Sequence, residues 1–408
     1  MFPPWRVLLL LVLVAVPPPA PAAPPVPDSI SLGLEALHRG LNHRAEEAFR
    51  VAARDAPDDP EPAMLVALTY WWRLLQDRSD TALDAPFRAA VEETLTRAAK
   101  RLERSPGDPP AASALGTVRV LGFHLEAVRR NYRRAAQEAR LGTRILEETL
   151  AAHPESPDAA FALGAYDYYA DRIPTLARGL AAFLRLPGGD RDRGLRLLRQ
   201  VADSGSRLRT TARLLLAMVC GSPEEHCYAD SEAHLRSALR DHPSSPLILA
   251  SLGELSLRLG RHDEAAGHFS EALRAAAGEG AEPAGQRRTL RLFLAEARLE
   301  AWRLDESASI LAGLKAEHAD PEGRDARRLD RLAAELAARR KDAWAARVLE
   351  LERAGRPGEA GMLLRREAAA HPGDPLRRML LGRHLWHAGK VPEAVTELEA
   401  AAEGVTGD

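Results

Sequence analysis

Cys220 and Cys227 are the only cysteines of the chain. They bracket a run from Gly221 to His226 that reads as a loop between two helices. In an oxidising compartment this spacing supports a disulfide closing a loop of about eight residues, worth roughly 2.5 kcal/mol by loop entropy. A metal held by Cys220, His226 and Cys227, with Glu224 or Glu225 beside them, is the sharper alternative. That spacing matches no zinc knuckle and lacks a second Cys/His pair, so no metal is assigned. Gly188, Gly189 and Asp190 resemble a phosphate-binding turn only superficially. They follow no strand and lack the lysine and hydroxyl of a P-loop, so they read as a turn with Asp190 or Asp192 capping a helix from near Arg193. No His-Glu-x-x-His or Gly-x-Ser-x-Gly occurs, and the thirteen histidines are scattered singly. The sequence therefore points to no enzyme and no cofactor.

What must position these residues is helical. The pattern Pro-x-x-Pro recurs at Pro57/Pro60, Pro106/Pro109, Pro154/Pro157, Pro243/Pro246 and Pro372/Pro375, each time between Ala/Arg/Leu-rich stretches. The first proline ends a helix and the second suits the first turn of the next. Composition agrees, with 46% hydrophobic, 5% aromatic and 28% charged residues in 408. Such a balance favours helices packed through small side chains. With 56 basic against 58 acidic residues the formal charge is -2, which argues against a nucleic-acid partner. The basic run Arg129, Arg130, Arg133 and Arg134 reads as a solvated helix face.

Aligned on one another, the helical stretches share a frame of about 34 residues. Leu32-Gly33 are followed by Ala36, Gly40, Ala45, Phe49 and Ala52; Leu252-Gly253 by Ser256, Gly260, Ala265, Phe269 and Ala272; Leu381-Gly382 by Leu385, Gly389, Ala394, Leu398 and Ala401. These residues resemble the tetratricopeptide repeat, a pair of antiparallel helices per unit. Small residues let two helices approach, Phe49, Phe269 and Leu398 fill the space between successive units, and Gly40, Gly260 and Gly389 end the first helix. Looser copies occupy 60–108, 109–156, 286–321 and 341–374. The expected fold is all-α, a tetratricopeptide-like right-handed superhelix of about nine antiparallel helix pairs. Its central segment, residues 157–220, is also distantly similar to exported bacterial tetratricopeptide proteins and to the eukaryotic inclusion-body clearance repeat family.

The resemblance implies that the first helix of each pair lines a concave groove. Groove positions are then Leu34, Leu37 and His38; Leu68, Trp71 and Trp72; Phe161, Ala165, Tyr168 and Tyr169; Glu254, Leu257 and Arg258; and Arg383, Trp386 and His387. Neighbouring helical residues point about 100° apart, so one of Trp71/Trp72 and one of Tyr168/Tyr169 must pack between units. The expected organisation is a cleaved signal peptide over 1–22, a proline-rich stub over 23–28, an N-terminal tetratricopeptide-like array with a divergent centre over 29–245 and a C-terminal tetratricopeptide array over 246–408. Val7 to Val16 is too short to span a bilayer, and Ala20-Pro21-Ala22 offers a cleavage site. Together these features suggest a non-enzymatic protein- or peptide-binding scaffold exported to a bacterial periplasm, without a lipid-anchor cysteine and with peripheral membrane association open. A docking subunit of a secretion, pilus or outer-membrane assembly complex is one alternative, and an enzyme with its active residues in the divergent centre around Tyr166 to Asp192 is the other.

Overall fold

A proline lacks the amide that a helix interior needs, and its fixed φ suits a first turn. Pro109, Pro157, Pro246 and Pro375 accordingly open helices, while Pro60 precedes the one starting at Glu61. The computed structural model describes residues 28–172, 179, 182–277, 284–317 and 324–406. The expected signal peptide and residues 23–27 of the stub lie outside them. Among the described residues there are 19 α-helices and no strand.

Eighteen of the helices pack as consecutive pairs. They are α1 (Ser29–His38) with α2 (Asn42–Asp55), α3 (Glu61–Gln76) with α4 (Asp84–Arg104), and α5 (Pro109–Val128) with α6 (Tyr132–Ala152). Then come α7 (Pro157–Asp171) with α8 (Arg191–Asp203), α9 (Arg209–Cys220) with α10 (Tyr228–Asp241), and α11 (Pro246–Arg258) with α12 (His262–Ala277). The odd helix α15 (Arg324–Arg339) follows α13 (Ala284–Glu300) and α14 (Leu304–Ala316) and packs on both. Beyond it, α16 (Ala343–Arg353) pairs with α17 (Pro357–Ala370) and α18 (Pro375–His387) with α19 (Val391–Thr406). The chain is an all-α helical-repeat solenoid. Helix α15 had no place in the 34-residue frame, because its Arg-rich run carries no glycine or proline. It buries Leu329, Leu332 and Leu336 against α13 and α14.

Six pairs turn in one way. The residue two beyond the first helix sits in the left-handed region: Gly40, Gly260, Gly355 and Gly389, but also Arg130 and Trp302. The next amide then bonds the carbonyl five residues back, as in Leu41 to Ala36 at 2.8 Å and Asn131 to Glu126 at 2.8 Å. This is the Schellman closure of a helix end.

Within a pair, glycine sets the approach. A Cβ on Gly253 would stand 2.7 Å from the Phe269 ring, and one on Gly382 2.7 Å from Leu398. Phe49, Phe269 and Leu398 therefore pack first on the glycine of their own pair, which corrects their expected place between units. Phe269 also reaches the next unit, stacking on Phe293 at 5.2 Å.

The divergent centre keeps the same logic with different residues. A Cβ on Gly189 would fall inside the backbone of Asp167 and Asp171, and one on Gly194 would stand 2.7 Å from the Gly164 carbonyl oxygen. Those glycines bring α8 onto α7, and Asp190 caps α8 by accepting from the Arg193 amide at 2.8 Å. The Gly188-Gly189-Asp190 segment is thus a packed turn. The basic run is only partly solvated, since Arg129 bonds both the Asp84 carboxylate and the Asp80 carbonyl at 2.7–2.9 Å.

The first half of the solenoid closes on itself. Leu37 of α1, Trp71 of α3, Leu121 of α5, Phe161 of α7 and Leu215 of α9 belong to one hydrophobic core. A polar seam seals it from outside: Ser245 Oγ donates to the His38 carbonyl at 2.7 Å, Arg39 donates to the Ser244 carbonyl at 3.2 Å, and Arg207 reaches Glu61 at 3.2 Å. A further cluster joins Leu214 and Leu235 to Ile248 and Leu252. Hydrophobic packing is therefore continuous across residues 245 and 246.

Candidate partner-binding groove

Closure decides which inner-wall residues remain available. Trp71 and Phe161 are each 1% exposed, and Leu37, His38 and Tyr168 are likewise buried. As solvent-facing groove residues Trp71, Phe161, Leu37 and His38 are corrected, while Tyr168 keeps an edge on a cavity. The inner helices of five units meet one another across the axis, so their apolar faces are spent on the shared core.

His38 shows what that burial does. Its Nε2 lies 3.0 Å from Thr211 Oγ1, and its ring sits 4.9 Å from that of His242. Desolvation, followed by the facing His242, pulls the His38 pKa down to about 3. The ring is neutral and structural.

Where the closed half meets the next units, a cavity of about 800 Å³ remains. It is walled by the α1–α2 turn, the end of α3, the end of α9, and the inner faces of α11 and α13. Trp72, Leu75, Met218, Leu247 and Phe293 supply its apolar surface; Arg44, Arg73 and Arg258 supply positive charge. Glu254 lies among them, and burial raises its pKa. Three expected residues, Trp72, Glu254 and Arg258, are thus brought together here. Arg258 also donates to the Gly221 carbonyl, tying α11 to the loop after α9. Met218, 40% exposed, and Phe293 were missed. Neither α9 nor α13 shows the glycine frame that marks an inner face in sequence.

A second cavity of about 640 Å³ opens beside the first and shares Leu75 and Met218 with it. Tyr168 and Tyr169 border it with Phe123, His124, Arg78 and Arg172. Burial pushes the Tyr168 phenol up to about 12. Of the C-terminal expectations, Arg383 pairs with Glu352 at 3.1 Å and borders a smaller hollow near Trp302 and Arg353. Trp386, 54% exposed, and His387 sit on the open surface of α18.

In this structure the two cysteines stand side by side as free thiols. Cys220 is buried at the end of α9, and Cys227 stands just before α10. Their sulfurs and an Asp230 oxygen lie within 4.8 Å of one another, the one cluster of metal-ligand type among the described residues. His226 and Glu225 are not in it. The His226 ring packs edge-on to Tyr228, and Glu225 is held by Arg172 and Arg191. Burial and the neighbouring Cys227 push the Cys220 thiol up to about 12, so it is a weak nucleophile.

A tetratricopeptide repeat profile matches residues 227–280 and 345–408. These two stretches carry tetratricopeptide repeats. No curated protein sequence matches the chain. Among solved structures, the type IV pilus biogenesis factor PilW is 11% identical, with 65% of this chain and 96% of that one covered and a TM-score of 0.39. Yeast Tom70 is 14% identical, with 92% and 85% covered and a TM-score of 0.34. The human IFIT1 dimer with m7Gppp-AAAA is 12% identical, with 93% and 90% covered and a TM-score of 0.37. Similarity this low identifies neither an activity nor a ligand. No helix among the described residues is long and apolar enough to cross a membrane.

Proposed function

We propose that the chain is a non-catalytic scaffold that holds a protein or peptide segment in the 800 Å³ groove. One observation carries this reading. Helices far apart in sequence converge there on Trp72, Met218 and Phe293 beside Arg73 and Arg258, giving apolar anchors within reach of cations. Rigid aromatic area rimmed by arginine is the composition of binding hot spots. The positive rim favours a partner segment that mixes apolar with acidic residues.

The same proposal places the protein in a bacterial cell envelope, on the strength of the export signal read in residues 1–22. A fusion of residues 1–28 to alkaline phosphatase, which is active only after export, tests this half separately. For the groove, a photo-crosslinking amino acid at Met218 is compared in cells with one at Arg240 on the outer helix α10. The expected result is a defined adduct from Met218 alone. Identical adducts from both positions, or none from Met218, would overturn the groove. An adduct that survives membrane purification with other subunits would mark the chain as a docking subunit of a larger envelope complex.

A further inference from the structure

The 640 Å³ cavity has a chemistry of its own that the peptide groove does not use. Its walls are apolar, supplied by Phe123, Val128, Leu186 and Met218. Its polar lining is two arginines, His124 and the hydroxyls of Tyr132, Tyr168, Tyr169 and Ser222, against a single carboxylate, Glu224. Trp71 Nε1 donates to His124 Nδ1 at 3.1 Å, so the neutral imidazole keeps its proton on Nε2. Neither that Nε2 nor the Tyr169 hydroxyl has a hydrogen-bond partner among the described residues, and the two rings are 4.8 Å apart, edge to face.

Charge settles the sign of what fits. Two arginines line the cavity, Arg78 and Arg172. Arg172 is engaged by Glu225 and lies 3.9 Å from Glu224. Arg78 has no ion pair among the described residues, yet stands close enough for its charge to act on both His124 and Tyr169. One uncompensated cation beside two unpartnered donors matches one anionic head.

We propose that this cavity binds a small amphipathic anion, an aromatic or aliphatic body bearing a single carboxylate or sulfonate. The body packs between Phe123, Val128, Leu186 and Met218; the head meets Arg78, the Tyr169 hydroxyl and His124 Nε2. Peptide capture in the neighbouring groove is not required for this.

Two probes with the same kind of aromatic body separate the head from the walls. They are 8-anilinonaphthalene-1-sulfonate, which is anionic, and N-phenyl-1-naphthylamine, which is neutral. Fluorescence titration of the full protein should give saturable one-to-one binding of the anion. Arg78→Gln, an exposed position, should weaken the anion by roughly five- to ten-fold and leave the neutral probe unchanged. Ala127→Trp, which fills the cavity, should abolish both. Non-saturable binding, an equal effect of Arg78→Gln on both probes, or a sulfonate affinity unmoved by Arg78→Gln would overturn the proposal. Circular dichroism of each variant reports whether the helices remain, and the exposed Arg78 variant keeps the test decisive if Ala127→Trp misfolds.

Discussion

Arg130 and Trp302 occupy a backbone conformation that the other four turns of their type give to glycine. An L side chain in that region costs about 1–2 kcal/mol. At Trp302 the ring earns compensation, lying 5.4 Å beneath the Arg339 guanidinium and packing on two core clusters. Arg130 is exposed and has no such contact. Arg130→Gly should therefore raise stability by about 0.5–1 kcal/mol once the extra chain entropy of glycine is subtracted. A thermal melt that moves down would refute the argument. Gly253 makes the opposite case, because any larger side chain must displace the fully buried Phe269 ring. Gly253→Leu should cost about 1–3 kcal/mol or more, seen as faster hydrogen exchange across residues 246–277 than elsewhere. At this scale the sequence was legible where glycine marked a contact. It was silent where Arg130 and Trp302 made the same turn, since nothing in either residue type announces a positive φ.

Helices α7 and α8 are joined by chemistry that propensity does not show. Asp167 is 0% exposed, and its carboxylate accepts from Arg193 Nε at 2.5 Å and Nη2 at 2.8 Å across the pair. A buried carboxylate stripped of its partner is far more damaging than the loss of the pair as a whole. Arg193→Met should therefore destabilise by about 3–5 kcal/mol, and adding Asp167→Asn should recover part of that loss. Urea unfolding of the two single variants and the double variant measures the coupling; strict additivity would show that the pair acts as two independent surface charges. The asymmetry explains why the centre looked anomalous as sequence. Here an ion pair and the close-packing Gly189 and Gly194 add to the glycine contact of the regular units, which Gly164 makes with Leu198. Helix existence was legible from proline punctuation, whereas the odd helix α15 was not, because it answers to α13 and α14 and not to a repeat.

The whole molecule differs from an open ribbon in one respect, the closure of the first unit against the fifth and sixth. No local pattern encodes that meeting, which is why Leu37, Trp71 and Phe161 read as groove and proved to be core. His38 sits at its centre. Facing it are His242 and Thr211, with Ser245 bonded to its carbonyl; His242 in turn bonds Glu35 at 2.6 Å and Thr210. Protonating His38 would put a charge where desolvation is severe and beside a second imidazole. Its folded pKa is about 3, against a model-peptide value of 6.5. Between those values the unfolded chain binds the extra proton and the folded chain does not. The stabilisation is therefore complete above about pH 6.5 and lost progressively as pH falls toward 3, at up to about 1.4 kcal/mol per unit. By pH 4.5 the deficit from this group alone should be roughly 2–3 kcal/mol. His38→Leu removes the titration while keeping an apolar side chain in place. Its stability should consequently decline less steeply with acid than that of the parent, even if it starts lower at pH 7. Parallel slopes for the two proteins between pH 7 and 4.5 would show that the seam does not depend on a neutral imidazole. A shallower slope for His38→Leu, together with acid-induced exchange concentrated in α1, α9 and α11, would locate the opening at the closure itself.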